Sequence, residues 1–156
     1  FNVIIHSNLF RIKIENYFIL DLYSGIGSFG LEAISRGASN VCFVENQKET
    51  LNLLKKNIKS VDIHNKTRLF AKSINDFVNQ SKSENEYDII FCDPPFAENH
   101  FINELKLIQK KKIYKKKHLL IIHREESTKD NLEGVLRKLV EKKYGKSKII
   151  FAEFLT

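Results

Sequence analysis

Short, wholly apolar runs recur along this chain, and a segment of helical period follows each one. YFILDL (17–22), VCFVE (41–45), TRLFA (67–71), YDIIFCD (87–93) and HLLIIH (118–123) have almost no polar face. A strand with one wet side alternates apolar and polar residues, whereas a strand apolar on both sides must be covered on both. The intervening segments supply the cover. SFGLEAISRGA reads as a helix from Ser28, with Gly37 as its stop. Asn46 with Glu49 has capping-box spacing, and the helix it opens sets Leu51, Leu54, Ile58 and Val61 on one face. Ser73 with Asp76 reads as another cap, ahead of Ile74, Phe77 and Val78. HFINELKLIQK (100–110) places Phe101, Leu105 and Ile108 at helical spacing. Strand and helix alternate, which predicts an α/β fold with a parallel sheet covered on both faces.

The end of the chain breaks this rhythm. KSKIIFAEF (146–154) is strand-like. Before it, Leu132, Val135, Leu136, Leu139 and Val140 fit a helix, yet LVEKKYGKSKIIF also reads as two strands joined at Gly145. No repeat or low-complexity linker divides the 156 residues, so one domain is expected.

Composition narrows the classes. No apolar run approaches the length of a membrane span, and FNVIIHSNLF lacks the basic region and small-residue cleavage site of a signal peptide. Cys42 and Cys92, the two cysteines, sit inside apolar runs and read as buried, reduced thiols in a cytoplasmic protein. Neither lies in a C-x-x-C, and no Cys/His cluster has zinc spacing, so no metal is expected. The net charge of +7 points to a nucleic-acid partner. The chain has no methionine, even at position 1, which suggests that its natural N-terminus is missing.

DLYSGIGSFGLEA (21–33) contains G-x-G-x-x-G at Gly25, Gly27 and Gly30. In a doubly wound fold, such a turn after the first strand lets backbone approach a ligand closely. Glu45, at the end of the second strand, can accept hydrogen bonds from two ribose hydroxyls. NAD and S-adenosylmethionine both carry that ribose, and Asp21 separates them. A dinucleotide places its pyrophosphate at this helix start, where a carboxylate repels it. A sulfonium and an ammonium group favour the same carboxylate. The turn therefore reads as a site for S-adenosylmethionine.

Asp93-Pro94-Pro95-Phe96 follows the fourth strand and holds both prolines of the chain. An exocyclic base amine is a poor nucleophile because its lone pair is delocalised into the ring. The Asp93 carboxylate and the Pro94 carbonyl can hold the amine hydrogens and aim that lone pair. Two prolines donate no backbone hydrogen and stiffen the geometry, and Phe96 can stack on a base. Methyl transfer by positioning follows, with no metal.

Two features remain open. Leu105–Lys117 contains seven lysines and no acid, and reads either as a solvated helix end or as a phosphate-tracking patch. His6, His64, His100, His118 and His123 read as unclustered with any acid or cysteine.

ILDLYSGIGSFGLEAISRGASNVCFVE, DIIFCDPPF, KKYGKSKIIF and the initial FN together resemble bacterial 16S ribosomal RNA guanine-N2 methyltransferases of the RsmD type. The resemblance runs over nearly the whole chain. It implies a Rossmann-like class I methyltransferase, with a seven-stranded, mostly parallel sheet whose last strand is antiparallel, and therefore a strand over 136–144. It implies Asp21, Gly25, Gly27, Glu45 and Asn46 as cofactor residues, and Asp93, Pro94, Pro95 and Phe96 as the target-base site. Near the adenine, where the family usually carries Asp or Asn, Ser73 stands, with the backbone of Ile74 as an alternative contact. The implied substrate is a guanine of 16S rRNA within an assembling 30S subunit. The family's basic N-terminal segment is expected to be lacking here. Two alternatives stay open: methylation of an adenine or cytosine amine in DNA or another RNA, and a non-catalytic RNA-binding remnant.

Overall fold

The computed structural model describes residues 14–61, 63–82, 86–95, 97 and 100–156. The initial FN and His6 lie outside these. The five apolar runs form β1 (Phe18–Leu22), β2 (Asn40–Glu45), β3 (Thr67–Ala71), β4 (Tyr87–Cys92) and β5 (Tyr114–Glu125). All five are parallel. The chain closes with β6 (Leu136–Tyr144) and β7 (Ser147–Phe154). The strand order is β3-β2-β1-β4-β5-β7-β6, so β7 inserts antiparallel between β5 and β6.

Among the described residues, four α-helices cover the sheet: α1 (Ser28–Ser35), α2 (Lys48–Ser60), α3 (Ile74–Gln80) and α4 (Phe101–Lys111). Adjacent strand residues go to opposite cores, as expected of strands apolar on both sides. Ile19, Val41 and Phe43 pack with Ala33 of α1 and Leu54 of α2. Leu20, Cys42 and Val44 pack with Phe77 of α3 and Leu105 of α4. Each such buried aliphatic or aromatic side chain stabilises the fold by about 1.5–3 kcal/mol. Among the described residues, no helix is long and apolar enough to cross a membrane.

Some sequence expectations need correction. Of the two readings of the segment before Gly145, the strand over 136–144 is the one that forms, and 132–135 lie in the connection ahead of it. The β6–β7 register shifts between Lys138 and Val140, and this irregularity packs Leu139 and Val140 against one core cluster. With Leu136 three residues earlier, the spacing imitates a helix. The capping box at Asn46 does not form, because Gln47 is the N-cap and makes no side-chain cap bond. The Glu45 carboxylate instead accepts the N–H groups of Asn46 and Gln47, just ahead of the helix. Val61 falls beyond α2 and is 55% exposed. The Ser73 cap does form: its hydroxyl accepts the Asp76 N–H at 3.1 Å and donates to Asp76 Oδ2 at 2.7 Å.

The parallel strands bring Leu22, Glu45, Ala71, Cys92 and Glu125 to one edge of the sheet. The lysine run is at the other edge, where α4 ends and β5 begins. There Lys115 pairs with Asp88 at 2.7 Å and lies over the Phe18 ring.

Candidate active site

β1 leaves the sheet through a tight turn, and its geometry explains the glycines. Gly25 and Gly27 have φ of 55° and 89°, in the left-handed region that a Cβ disfavours. A Cβ on Gly27 would also come within 2.4 Å of Leu54 Cδ1, so this glycine faces α2. Gly30 has no such φ. A Cβ there would meet the Phe43 ring at 2.3 Å and Val41 at 2.7 Å. It is the point where α1 lies closest on β2.

Two acids tie the turn to its surroundings. Asp21 is 1% exposed and accepts the Gly30 N–H at 3.0 Å. Burial pushes its carboxyl well above the usual range, aided by the Asp93 and Glu45 carboxylates and opposed by the Gly30 hydrogen bond. Glu45 Oε2 accepts the Gly25 N–H at 2.8 Å. Glu45 Oε1 accepts from Asn46 and Gln47, each at 2.8 Å. One carboxylate thus joins the glycine turn to the start of α2.

The cavity above this edge has two lobes. One, about 560 Å³, runs from Glu45, Asn46 and Gln47 to Asp93, Pro94 and Pro95. The other, about 410 Å³, is bordered by Asp21, Ser24, Ser28, Phe29, Phe91 and Asp93. Tyr23, Gly25 and Asp93 line both. Phe29 and Phe91 stack with ring centroids 3.9 Å apart and form an aromatic wall. Asp21, Gly25, Glu45, Asn46, Asp93, Pro94 and Pro95 therefore converge as the sequence suggests. Gly27 is turned toward α2, Ser73 is engaged as a helix cap, and the Ile74 side chain is buried in the core. Phe96 lies outside the described residues.

Sequence reasoning missed several residues here. His123 is not remote from acids: its Nδ1 lies 2.8 Å from Asp93 Oδ1. The Asp93 hydrogen bond raises the His123 pKa, against the opposing effect of burial. Arg124 is 1% exposed. Its Nε and Nη2 donate to Asp130 at 3.0 and 3.1 Å, and its Nη1 donates to the Pro95 carbonyl at 3.2 Å. Its guanidinium lies 4.6 Å from the Phe101 ring centroid. Tyr23 has a left-handed φ of 55° and donates its hydroxyl to Glu104 of α4. The Ser24 hydroxyl bridges the ends of β1 and β2 through the Asp21 carbonyl and the Val44 N–H. The one signal in the sequence is an arginine directly after the apolar run HLLIIH, with two acids following it.

His100 is exposed and His118 is structural, its Nε2 accepting the Phe154 N–H at 2.9 Å. Among the described residues, no group of three or more His, Cys, Asp or Glu side chains can hold a metal ion. Cys42 and Cys92 are buried free thiols. Burial pushes Cys42 up to about 12 and Cys92 well above its ordinary value, so both are inert at neutral pH.

The family described as Conserved hypothetical protein 95 matches residues 1–153. The chain belongs to that family. It is 36% identical to "Ribosomal RNA small subunit methyltransferase D" of Buchnera aphidicola, over 72% of this chain and 58% of that protein. A Haemophilus influenzae protein of known crystal structure superposes with a TM-score of 0.81, at 28% identity, over 92% of this chain and 89% of that one. A "SAM dependent methyltransferase" from Aquifex aeolicus shares the fold, with a TM-score of 0.67 at 18% identity, over 90% and 84% of the two chains. Matches to three curated relatives of the same name cover 42–58% of those proteins' length.

Proposed function

We propose that this chain transfers a methyl group from S-adenosylmethionine to the exocyclic N2 amine of a guanine in small-subunit rRNA. The observation that carries this reading is that both lobes of the cavity end on Asp93. Cofactor candidates border both, Glu45 and Asn46 in one and Asp21 in the other, so a cofactor lying across the glycine turn would bring its methyl group beside Asp93. The name borne by the family relatives supports the rRNA substrate.

The cavity fits this cofactor on its own chemistry. Three carboxylates, Asp21, Glu45 and Asp93, face the region of the glycine turn. That charge suits an ammonium and a sulfonium and opposes a pyrophosphate. When bound, S-adenosylmethionine supplies an electrophilic methyl group on cationic sulfur. Glu45 and Asn46 are assigned to the ribose end, and Asp21 and Gly25 to the amino-acid end. Gly27 shapes the turn. The adenine falls toward Ile74, whose backbone takes the contact because Ser73 is occupied as a cap.

Asp93 and the Pro94 carbonyl accept the two amine hydrogens and direct the nitrogen lone pair at the methyl carbon. S-adenosylmethionine, held by the residues of the glycine turn and Glu45, would supply the methyl group and keep the sulfur electron pair. The methylated nitrogen then releases one proton, through Asp93, to solvent. Phe96 is assigned to stacking on the guanine. The reaction is driven by positioning, in a single methyltransferase domain acting in the cytoplasm on a 30S subunit.

The test uses 30S subunits from a strain lacking the gene, with labelled methyl donor and mass mapping of the product. Label is expected on one guanine N2. Asp93→Ala is expected to lower transfer by roughly 100-fold while S-adenosylhomocysteine still binds. Label on an adenine or cytosine amine, or NAD binding in place of S-adenosylhomocysteine, would refute the assignment.

A further inference from the structure

β4 and β5 run parallel with Cys92 opposite Ile122. The residues that follow are Asp93, just past the end of β4, and His123 of β5, so the register sets the two side by side. Cys92 and Ile122 both point into the core on the α3–α4 side. Strand alternation therefore sends Asp93 and His123 to the opposite side, where Asp21 and Phe91 border the cavity. The His123 ring nitrogen reaches Asp93 Oδ1 at 2.8 Å. A carboxylate has no proton to give, so Nδ1 carries the hydrogen and donates it. His123 is part-buried, with a side-chain exposure of 27% against 42% for Asp93. The ring is thus held on the protein side of the more open carboxylate.

An aspartate with both oxygens loose has two χ angles to search, and an amine acceptor has to be held in one orientation. A misplacement of about 1 Å can cost on the order of 100-fold in rate. The rest of the acceptor segment is held from the same strand end, where Arg124 binds the Pro95 carbonyl. Asp93 itself requires a separate tether.

Resting on the methyltransferase reading above, we propose that His123 is a positioning residue for methyl transfer. Its Nδ1–H holds Oδ1 of Asp93, leaving Oδ2 to accept a hydrogen of the target amine. The ring neither touches the substrate nor takes its proton. An asparagine amide can occupy the place of Nδ1–H, so the function survives a donor that cannot act as a base.

His123→Ala is expected to lower kcat on unmethylated 30S subunits by roughly 10- to 100-fold, with KM for the cofactor and S-adenosylhomocysteine affinity changed less than about twofold. His123→Asn is expected to stay within about fivefold of the unaltered protein. An unchanged kcat in His123→Ala overturns the proposal. So does His123→Asn falling as low as His123→Ala while both bind S-adenosylhomocysteine normally, because that marks a proton-transfer role. Long-range proton–nitrogen NMR reads the pair without any turnover. The hydrogen is expected on Nδ1, with its resonance shifted in Asp93→Ala. A hydrogen on Nε2 with none on Nδ1 overturns the proposal even if the protein methylates rRNA. If the unaltered protein methylates no RNA, the functional reading fails separately, and the NMR result still decides whether His123 holds Asp93.

Discussion

Arg124 Nη1 donates to the carbonyl of Pro95 at 3.2 Å, across 29 residues of sequence. The same guanidinium is paired through two bonds with Asp130, on the connection between β5 and β6. Side-chain exposures of 1% and 2% make this a fully buried ion pair. It fastens the Asp-Pro-Pro segment to the end of β5.

Removing one partner of such a pair leaves a buried charge without compensation. Arg124→Ala is therefore expected to cost about 3–5 kcal/mol of stability, read from urea denaturation. Arg124→Lys is the sharper variant. It keeps the charge but loses the planar fork that meets Asp130 and Pro95 together. The expected result is a folded protein with near-normal S-adenosylhomocysteine binding and slower methyl transfer. Equal kcat in Arg124→Lys and the unaltered protein would show that the Pro95 contact does not position the acceptor segment.

Asp21 trades stability for binding. Its carboxyl is raised by burial in the folded state, so the folded protein holds this proton more tightly than the unfolded chain does. As pH rises from the ordinary carboxylate value to the raised one, the unfolded chain has lost its proton and the folded one has not. Stability declines through that window. Asp21→Asn can still accept the Gly30 N–H without carrying charge. It is expected to raise the Tm at neutral pH and remove this part of the pH dependence. Loss of a charge-assisted contact is also expected to weaken S-adenosylmethionine binding by roughly 10- to 100-fold. Unchanged affinity in calorimetric titration would remove Asp21 from the cofactor site.

Gly30 and Gly145 look alike in sequence and differ in space. A Cβ on Gly30 collides with Phe43 and Val41, whereas a Cβ on Gly145 meets nothing within 4 Å. Gly30→Ala is expected to cost about 1–3 kcal/mol through overpacking. Gly145→Ala pays only for its φ of 56°, about 1–2 kcal/mol. The discriminating measurement is S-adenosylhomocysteine affinity. It is expected to fall in Gly30→Ala, where α1 is pushed off β2, and to hold in Gly145→Ala.

The lysine run makes the opposite kind of prediction. Lys110, Lys111 and Lys112 end α4 at the sheet edge away from Asp93. Replacing all three with serine is expected to change kcat on 30S subunits by less than about twofold. A loss of more than about tenfold would mean that the bound RNA wraps to the far edge of the sheet.

The sequence alone dictates the alternation of strands and helices, because strands apolar on both faces demand a covered parallel sheet. It also determined the glycine turn, the acids at Asp21 and Glu45, and the Asp-Pro-Pro segment, since each is a short contiguous pattern with its own chemistry. Local spacing left 132–140 open between helix and strand, because a register shift in β6 gives the strand the spacing of a helix. Tertiary packing turns the Glu45 carboxylate onto the Asn46 and Gln47 N–H groups ahead of α2, in place of a cap by Asn46. The fold also brings His123 and Arg124 onto Asp93 and Pro95. Those pairings come from the register of β4 against β5, which no local pattern encodes. Side chains thirty residues apart become partners because strand pairing, a long-range choice made by the whole sheet, sets them next to each other.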